Sequence, residues 1–263
     1  MKLSIITINY NNAADLERTI DSVIKQTYKD FEFIIIDGGS SDNSIDVIKS
    51  NEDKLDYWIS EKDNGVFHAM NKGIAQAKGE YLLMLNAGDL LCNDKVLEQV
   101  FEKEMYTQDI LSGDVYRSVD QQIFDKSYFP DAPTFSFFRN GSLSHQGTFI
   151  KRSLHNIVGL YDETLKYSSD WKFFILAICK YNVSYYHLPF FVATCDCTGL
   201  TCSPANFPAM KKEFATVYQE YFPAFITDYE DYDYLKKNTI KNKMFLIKGY
   251  LKNKIKKLAG SSS

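Results

Sequence analysis

Residues 60–89 read SEKDNGVFHAMNKGIAQAKGEYLLMLNAGD, and this stretch decides the fold. A short apolar segment at 57–60 runs into Asp63. Residues 66–77 carry apolar side chains at helical spacing, and Gly79 follows as a stop. Residues 81–86 then form an apolar run that delivers Asn86 and Asp89. Strand, helix, strand in such quick succession predicts a parallel pair. Its carboxylate and amide oxygens collect at the strand ends, where open α/β sheets bind ligands.

The pattern continues upstream. Residues 3–8 (LSIITI) and Phe31–Asp37 (FEFIIID) are short, β-branched and apolar, as buried strands are. Between them Leu16, Ile20, Val23 and Ile24 fall on one helical face, with Asn12 as the expected cap. The predicted class is α/β: a Rossmann-like, mostly parallel sheet with helices on both faces. The first turn, Asn9-Tyr10-Asn11-Asn12, lacks G-x-G-x-x-G, which excludes the dinucleotide-binding version.

Downstream the rhythm loosens. Strands are expected at 109–116 and 183–188, and a helix at 167–180. The aromatic segment 124–141 reads as a loop or short hairpin, either walling an acceptor site or covering the core. Residues 1–205 form one expected domain, split into halves at 1–115 and 116–205. Residues 206–263 form a helical extension.

The net charge of −4 conceals an asymmetry. Residues 235–263 hold nine Lys and no acid, which leaves the remainder at −13. An acidic body argues against nucleic acid as a partner. In the tail, Ile240, Met244, Ile247, Leu251, Ile255 and Leu258 share one helical face among lysines. Such a basic amphipathic helix suits an anionic membrane surface, or docking on the acidic body. No apolar run is long enough to span a bilayer, and the N-terminus lacks a secretory core. Five cysteines, an odd number, fit free thiols in a reducing cytoplasm. The peripheral inner face of the membrane is the expected location.

Individual residues leave their roles open. Asp37 can bind a base or ribose, or can form the turn that follows it. Asp89 offers a hard oxygen for Mg²⁺ or Mn²⁺, or closes an Asn/Gly turn. His145 is a second metal-ligand candidate, or structural. Asp170, opening a helix, is an N-terminal acid or a general base. Cys195, Cys197 and Cys202 lack zinc-site spacing.

Taken in chain order, LSIITINYNN, FIIIDGGSSDNS, the 60–89 block, LSHQGTFIKRS, GLYDE and SSDW resemble the motifs of family 2 glycosyltransferases. The resemblance covers about residues 1–200, and is similar to the bacterial branch that builds O-antigen, capsule or exopolysaccharide. It implies a GT-A fold, a divalent metal, and transfer from a nucleotide-diphosphate sugar, usually of uridine, to a lipid-linked saccharide. It implies that Thr7, Asn9, Asp37, Asp63 and Asn86 line the nucleotide-sugar pocket. Asp89, helped by His145, would hold the metal, and Asp170 would be the base. Two departures stand out: the D-x-D metal motif reads Asn-Ala-Gly-Asp, and Ser169 replaces a common Glu. A sugar-nucleotide pyrophosphorylase and a non-catalytic nucleotide-binding module are the rival readings.

Overall fold

The first seven elements are β1 (Leu3–Asn9), α1 (Ala13–Ile24), β2 (Phe31–Asp37), α2 (Ser44–Ser50), β3 (Tyr57–Ser60), α3 (Val66–Gln76) and β4 (Tyr81–Met84). Every residue of β1 and β4 is buried, which is why both read as continuous apolar runs rather than alternations. The strands lie in the order β3-β2-β1-β4, all parallel. Their register sets Asn9 opposite Asp37 and Asp37 opposite Ser60, so the polar ends meet at one edge.

Helices cover both faces. Leu16, Ile20 and Val23 of α1 join the core that contains Leu3, Ile5, Phe33 and Leu83. On the other face α3 lies hard against β1: a Cβ at Gly73 would fall 2.3 Å from Cγ2 of Ile6. The start of α1 differs from expectation. The Asn12 side chain makes no capping bond there, and Asp42 accepts the Ala13 N–H instead.

The computed structural model describes residues 1–102 and 106–259, with side chains to 248 except at 200, 242, 245 and 246. Its second half holds β5 (Leu90–Leu91), α4 (Val96–Phe101), β6 (Ile110–Val119), β7 (Gln122–Ser127), α5 (Phe135–Asn140), β8 (Thr148–Lys151), α6 (Ser169–Ile175) and β9 (Tyr185–Asp196). β8 joins the parallel half antiparallel to β4, and the sheet continues through β6, β9 and β5.

Three boundaries moved. β9 runs beyond the expected 183–188, because a bulge absorbs Pro189 and Phe190: Gly113 faces Leu188, while Asp114 faces Phe191. The helix expected at 167–180 starts at Ser169 and widens into a π-turn over Leu176–Lys180, with Tyr181 N–H donating to the Leu176 carbonyl. Segment 124–141 supplies β7 and then α5, whose Thr134 hydroxyl caps Phe137 N–H.

The chain divides into two compact units, Met1–Phe214 and Ala215–Ser263. Within the first unit the Glu213 carboxylate accepts from Lys166 N–H, Tyr167 N–H and the Ser168 hydroxyl. The last two helices are α7 (Phe207–Tyr221) and α8 (Pro223–Ala259). On α8, Ile240, Met244 and Ile247 are more than half exposed, and Lys241, Lys243 and Lys248 are exposed too. Leu251, Ile255 and Leu258 of the expected stripe have side chains outside the described residues. Among the described residues, no helix is long and apolar enough to cross a membrane.

Candidate active site

At the strand edge, Asp37 is fully buried and saturated with donors. It accepts from Asn9 Nδ2 at 2.8 Å, the Ser40 hydroxyl at 2.6 Å, the Ser60 hydroxyl at 2.6 Å and the N–H groups of Gly39 and Ser40. Burial pushes its carboxyl up, but the bonds from Ser40, Ser60 and Asn9 outweigh that and hold it below the usual range. Asp37 thus lies behind the cavity wall and positions Asn9. Thr7 is also off the wall, since its buried hydroxyl donates to the Leu85 carbonyl at 2.6 Å. Neither side chain borders the cavity in front of this edge, and both hold neighbouring segments in place.

A cavity of about 430 Å³ opens in front of this edge. Asn9, Asp63, Asn86, Asp89, His145 and Asp170 all line it, although they come from widely separated parts of the chain. Asp63 closes the turn before α3 by accepting Gly65 N–H, and its other oxygen occupies the space above Gly38. Asn9 keeps one buried amide oxygen without a partner.

The 86–89 loop is pinned from below by α1. The Thr19 hydroxyl accepts from Gly88 N–H and donates to the Asp89 carbonyl. Gly88 has φ +104°, with Asp196 3.3 Å from where its Cβ would stand. Asp89 accepts from Asp196 N–H at 2.9 Å and Asn86 N–H at 3.2 Å. Burial pushes its carboxyl up to about 6, against the pull of His145, Asp196 N–H and the Gln146 side chain. The Asn86 amide oxygen is buried beside it without a partner. A buried carboxylate and an orphaned amide oxygen suit a hard cation. Among the described residues, no cluster of three or more His, Cys, Asp or Glu side chains forms a complete protein site.

His145, the second metal-ligand candidate, sits between Asp170 and Asn86. Its Nδ1 lies 3.0 Å from Asp170 Oδ2 and its Nε2 3.2 Å from Asn86 Nδ2, so both ring nitrogens are already engaged. Burial lowers the ring's proton affinity, but the bond to Asp170 and the charges of Asp170 and Asp89 raise it overall. α6 holds Asp170 at the cavity: Trp171 donates to the Phe138 carbonyl and packs on Phe214.

Sequence reasoning missed Asp196 and Gln146, which both line the cavity. Asp196 ends β9 as Asp37 ends β2, but the bulged strand hides that signal. A larger cleft of about 690 Å³, bordered by Asp15, Arg18, Asp94 and Asp120, also touches Asp196 but lacks Asp89, His145 and Asp170.

Residues 4–151, over half the chain, match the model of "Glycosyl transferase family 2". The chain belongs to this family. A "PGL/p-HBAD biosynthesis glycosyltransferase" of Mycobacterium tuberculosis (strain ATCC 25177 / H37Ra) is 33% identical over 175 residues, covering 65% of this chain and 67% of the relative. An uncharacterized glycosyltransferase of Rickettsia typhi is also 33% identical, covering 64% and 56%. The fold is that of S. aureus TarS 1–349 in complex with UDP, with TM-score 0.62 at 20% identity, covering 74% of this chain and 60% of that one. A mannosyltransferase from Pyrobaculum calidifontis, in complex with GDP-Man and Mn2+, aligns at TM-score 0.55 and 16% identity, covering 74% and 56%. This family 2 protein is a glycosyltransferase with the GT-A-like α/β fold. The chain spans about 60% of the TarS chain.

Proposed function

We propose that this family 2 glycosyltransferase inverts the anomeric centre. It takes a sugar from a nucleotide diphosphate, uridine first, and places it on a hydroxyl of a lipid-linked saccharide in cell-surface glycan assembly. The observation that carries the proposal is the convergence of Asn9, Asp63, Asn86, Asp89 and Asp170 on one cavity.

The nucleotide lies along the strand edge, with Asp63 and Asn9 at the base and ribose end. Asp170 takes the proton from the acceptor hydroxyl as its oxygen bonds to the anomeric carbon. The bond from that carbon to the phosphate oxygen breaks, and the diphosphate leaves with the electron pair. Asp89 and the Asn86 amide oxygen would hold Mg²⁺ or Mn²⁺, completed by the donor's own phosphates. When bound, the ion supplies neutralisation of diphosphate charge. TarS structures with UDP and UDP-GlcNAc support a uridine donor. The mycobacterial relative acts in PGL/p-HBAD biosynthesis, which supports a glycan-assembly role without favouring an O-antigen pathway.

The donor is tested by thermal stability with UDP, GDP, dTDP and CDP, each with and without Mn²⁺. Ligand at about 100 times its Kd adds about 2.7 kcal/mol. A UDP shift that grows with Mn²⁺ is expected. No shift with any nucleotide overturns the proposal.

We also propose that α8 lies on an anionic membrane surface, supported by its exposed Ile240, Met244 and Ile247 among lysines. Each Lys near such a surface contributes about 1 kcal/mol. Removing residues 236–263 should abolish binding to phosphatidylserine vesicles. Undiminished vesicle binding by the truncated protein would sink the idea.

A further inference from the structure

Three elements meet at His145. It opens the turn His145–Gly147 before β8, whereas Asn86 follows β4 and Asp170 sits in the first turn of α6. The His145 side chain is 14% exposed and that of Asp170 20%. Asn86 Nδ2 faces Nε2 at 3.2 Å, and an amide nitrogen only donates. A carboxylate only accepts, so the Nδ1 that lies 3.0 Å from Asp170 Oδ2 carries a proton aimed at it. The imidazole N–H thus donates to the carboxylate, and the far side of the ring rests on the Asn86 side chain.

Granted that Asp170 is the general base, we infer that His145 is a positioning residue which holds the Asp170 carboxylate for the acceptor hydroxyl and is itself anchored on Asn86. With Oδ2 taken by the imidazole, Oδ1 is the oxygen left to face the acceptor. The roles are the reverse of those in the serine hydrolase triad, where a carboxylate orients an imidazole. The anchor also matters. Asn86 N–H bonds Asp89, so the group that fixes the base rests on the loop assigned to the diphosphate. A misplaced reacting group can cost on the order of 100-fold in rate, and a carboxylate free to rotate is misplaced much of the time.

Side-chain geometry provides the test. The amide nitrogen of Asn overlays Nδ1 of His, whereas that of Gln overlays Nε2. His145→Asn therefore keeps the donor to Asp170, and His145→Gln loses it. The full chain, Asp170→Asn and the double variant His145→Gln/Asp170→Asn complete the set. UDP release is followed from UDP-glucose, UDP-galactose and UDP-GlcNAc with octyl glycosides as acceptors. Thermal shifts with UDP and Mn²⁺ are read on each protein.

We expect His145→Asn to stay within about tenfold of the wild-type kcat, and His145→Gln to fall roughly 10–100-fold with donor KM little changed. The double variant should be no slower than Asp170→Asn, because effects within one unit are not additive. All variants should keep the UDP and Mn²⁺ shift. Equal losses in His145→Asn and His145→Gln overturn the proposal while Asp170→Asn remains inactive. So does loss of the Mn²⁺-dependent shift in both, which would make His145 a metal ligand. Full turnover by Asp170→Asn removes the base assignment itself, and the proposal with it. Independent of turnover, ¹⁵N-histidine spectra at alkaline pH should show His145 protonated on Nδ1. A proton on Nε2 overturns the proposal.

Discussion

The two halves of the sheet reach the same cavity by different routes. Residues 3–89 build it chiefly from β1, β2 and β4, parallel strands buried on both faces, and the strand ends offer polar residues at positions the apolar runs announce. Residues 106–214 build it from the turn before β8, the end of a bulged twelve-residue strand and a helix that ends in a π-turn. The first half brings Asn9, Asp63, Asn86 and Asp89 to it, and the second brings His145, Asp170 and Asp196. On the proposed function, regular secondary structure serves the part of the substrate that recurs among donors, and irregular structure serves the reacting end.

The largest expected effect lies in the irregular half. Asp170→Asn should lower turnover by about 10²–10⁴-fold while leaving the UDP-induced thermal shift intact. A loss below about tenfold would break the division between a donor half and a chemical half.

The next concerns stability. Leu83, fully buried on β4 where the parallel strands meet β8, should cost about 2–5 kcal/mol when cut to Ala. Denaturant midpoints read this directly. A smaller loss would mean that the core is shared more evenly between the halves.

The third uses pH. His155 is buried on Phe173, its ring 4.7 Å from that ring, with Nδ1 3.2 Å from the Gly159 carbonyl. Burial lowers it from the ordinary 6.5 to about 4, against a small opposing pull from Gly159. The folded state therefore keeps the ring neutral where the unfolded chain takes up a proton. Its contribution is fully present above pH 6.5 and drains away as pH falls toward 4, by about 3 kcal/mol in all. Comparing wild type with His155→Asn across that window should show the slope only in wild type. Parallel curves would locate acid sensitivity elsewhere.

The smallest effect is predicted at β7. Ile123 is 54% exposed, so Ile123→Ala should change stability by no more than about 0.5 kcal/mol. A larger loss would show that the hairpin is packed against something in solution.

Much of the donor half was legible before any coordinates. Buried parallel strands must be apolar throughout, so β1, β2 and β4 could be read as runs, and Asn9, Asn86 and Asp89 as their ends. Helix starts were less legible: Asn12 has the right chemistry for a cap, yet Asp42, thirty residues away in sequence, caps α1. The partners of Thr7 and Asp37 were not legible, because position does not say which way a side chain faces or how many donors already surround it. In the second half, Pro189 ends the recognisable part of β9, and nothing local reports that a bulge carries the strand on to Asp196.

By itself, then, the sequence determined the α/β class, the polar strand ends and the basic face of the last helix, since each follows from local periodicity and local chemistry. Tertiary structure alone decided that Asp37 is a brace for Asn9, that His145 meets Asp170 and Asn86, and that Asp196 joins the cavity. These depend on register and on contacts between distant segments, where a hydrogen-bond partner is fixed by the fold of the whole sheet.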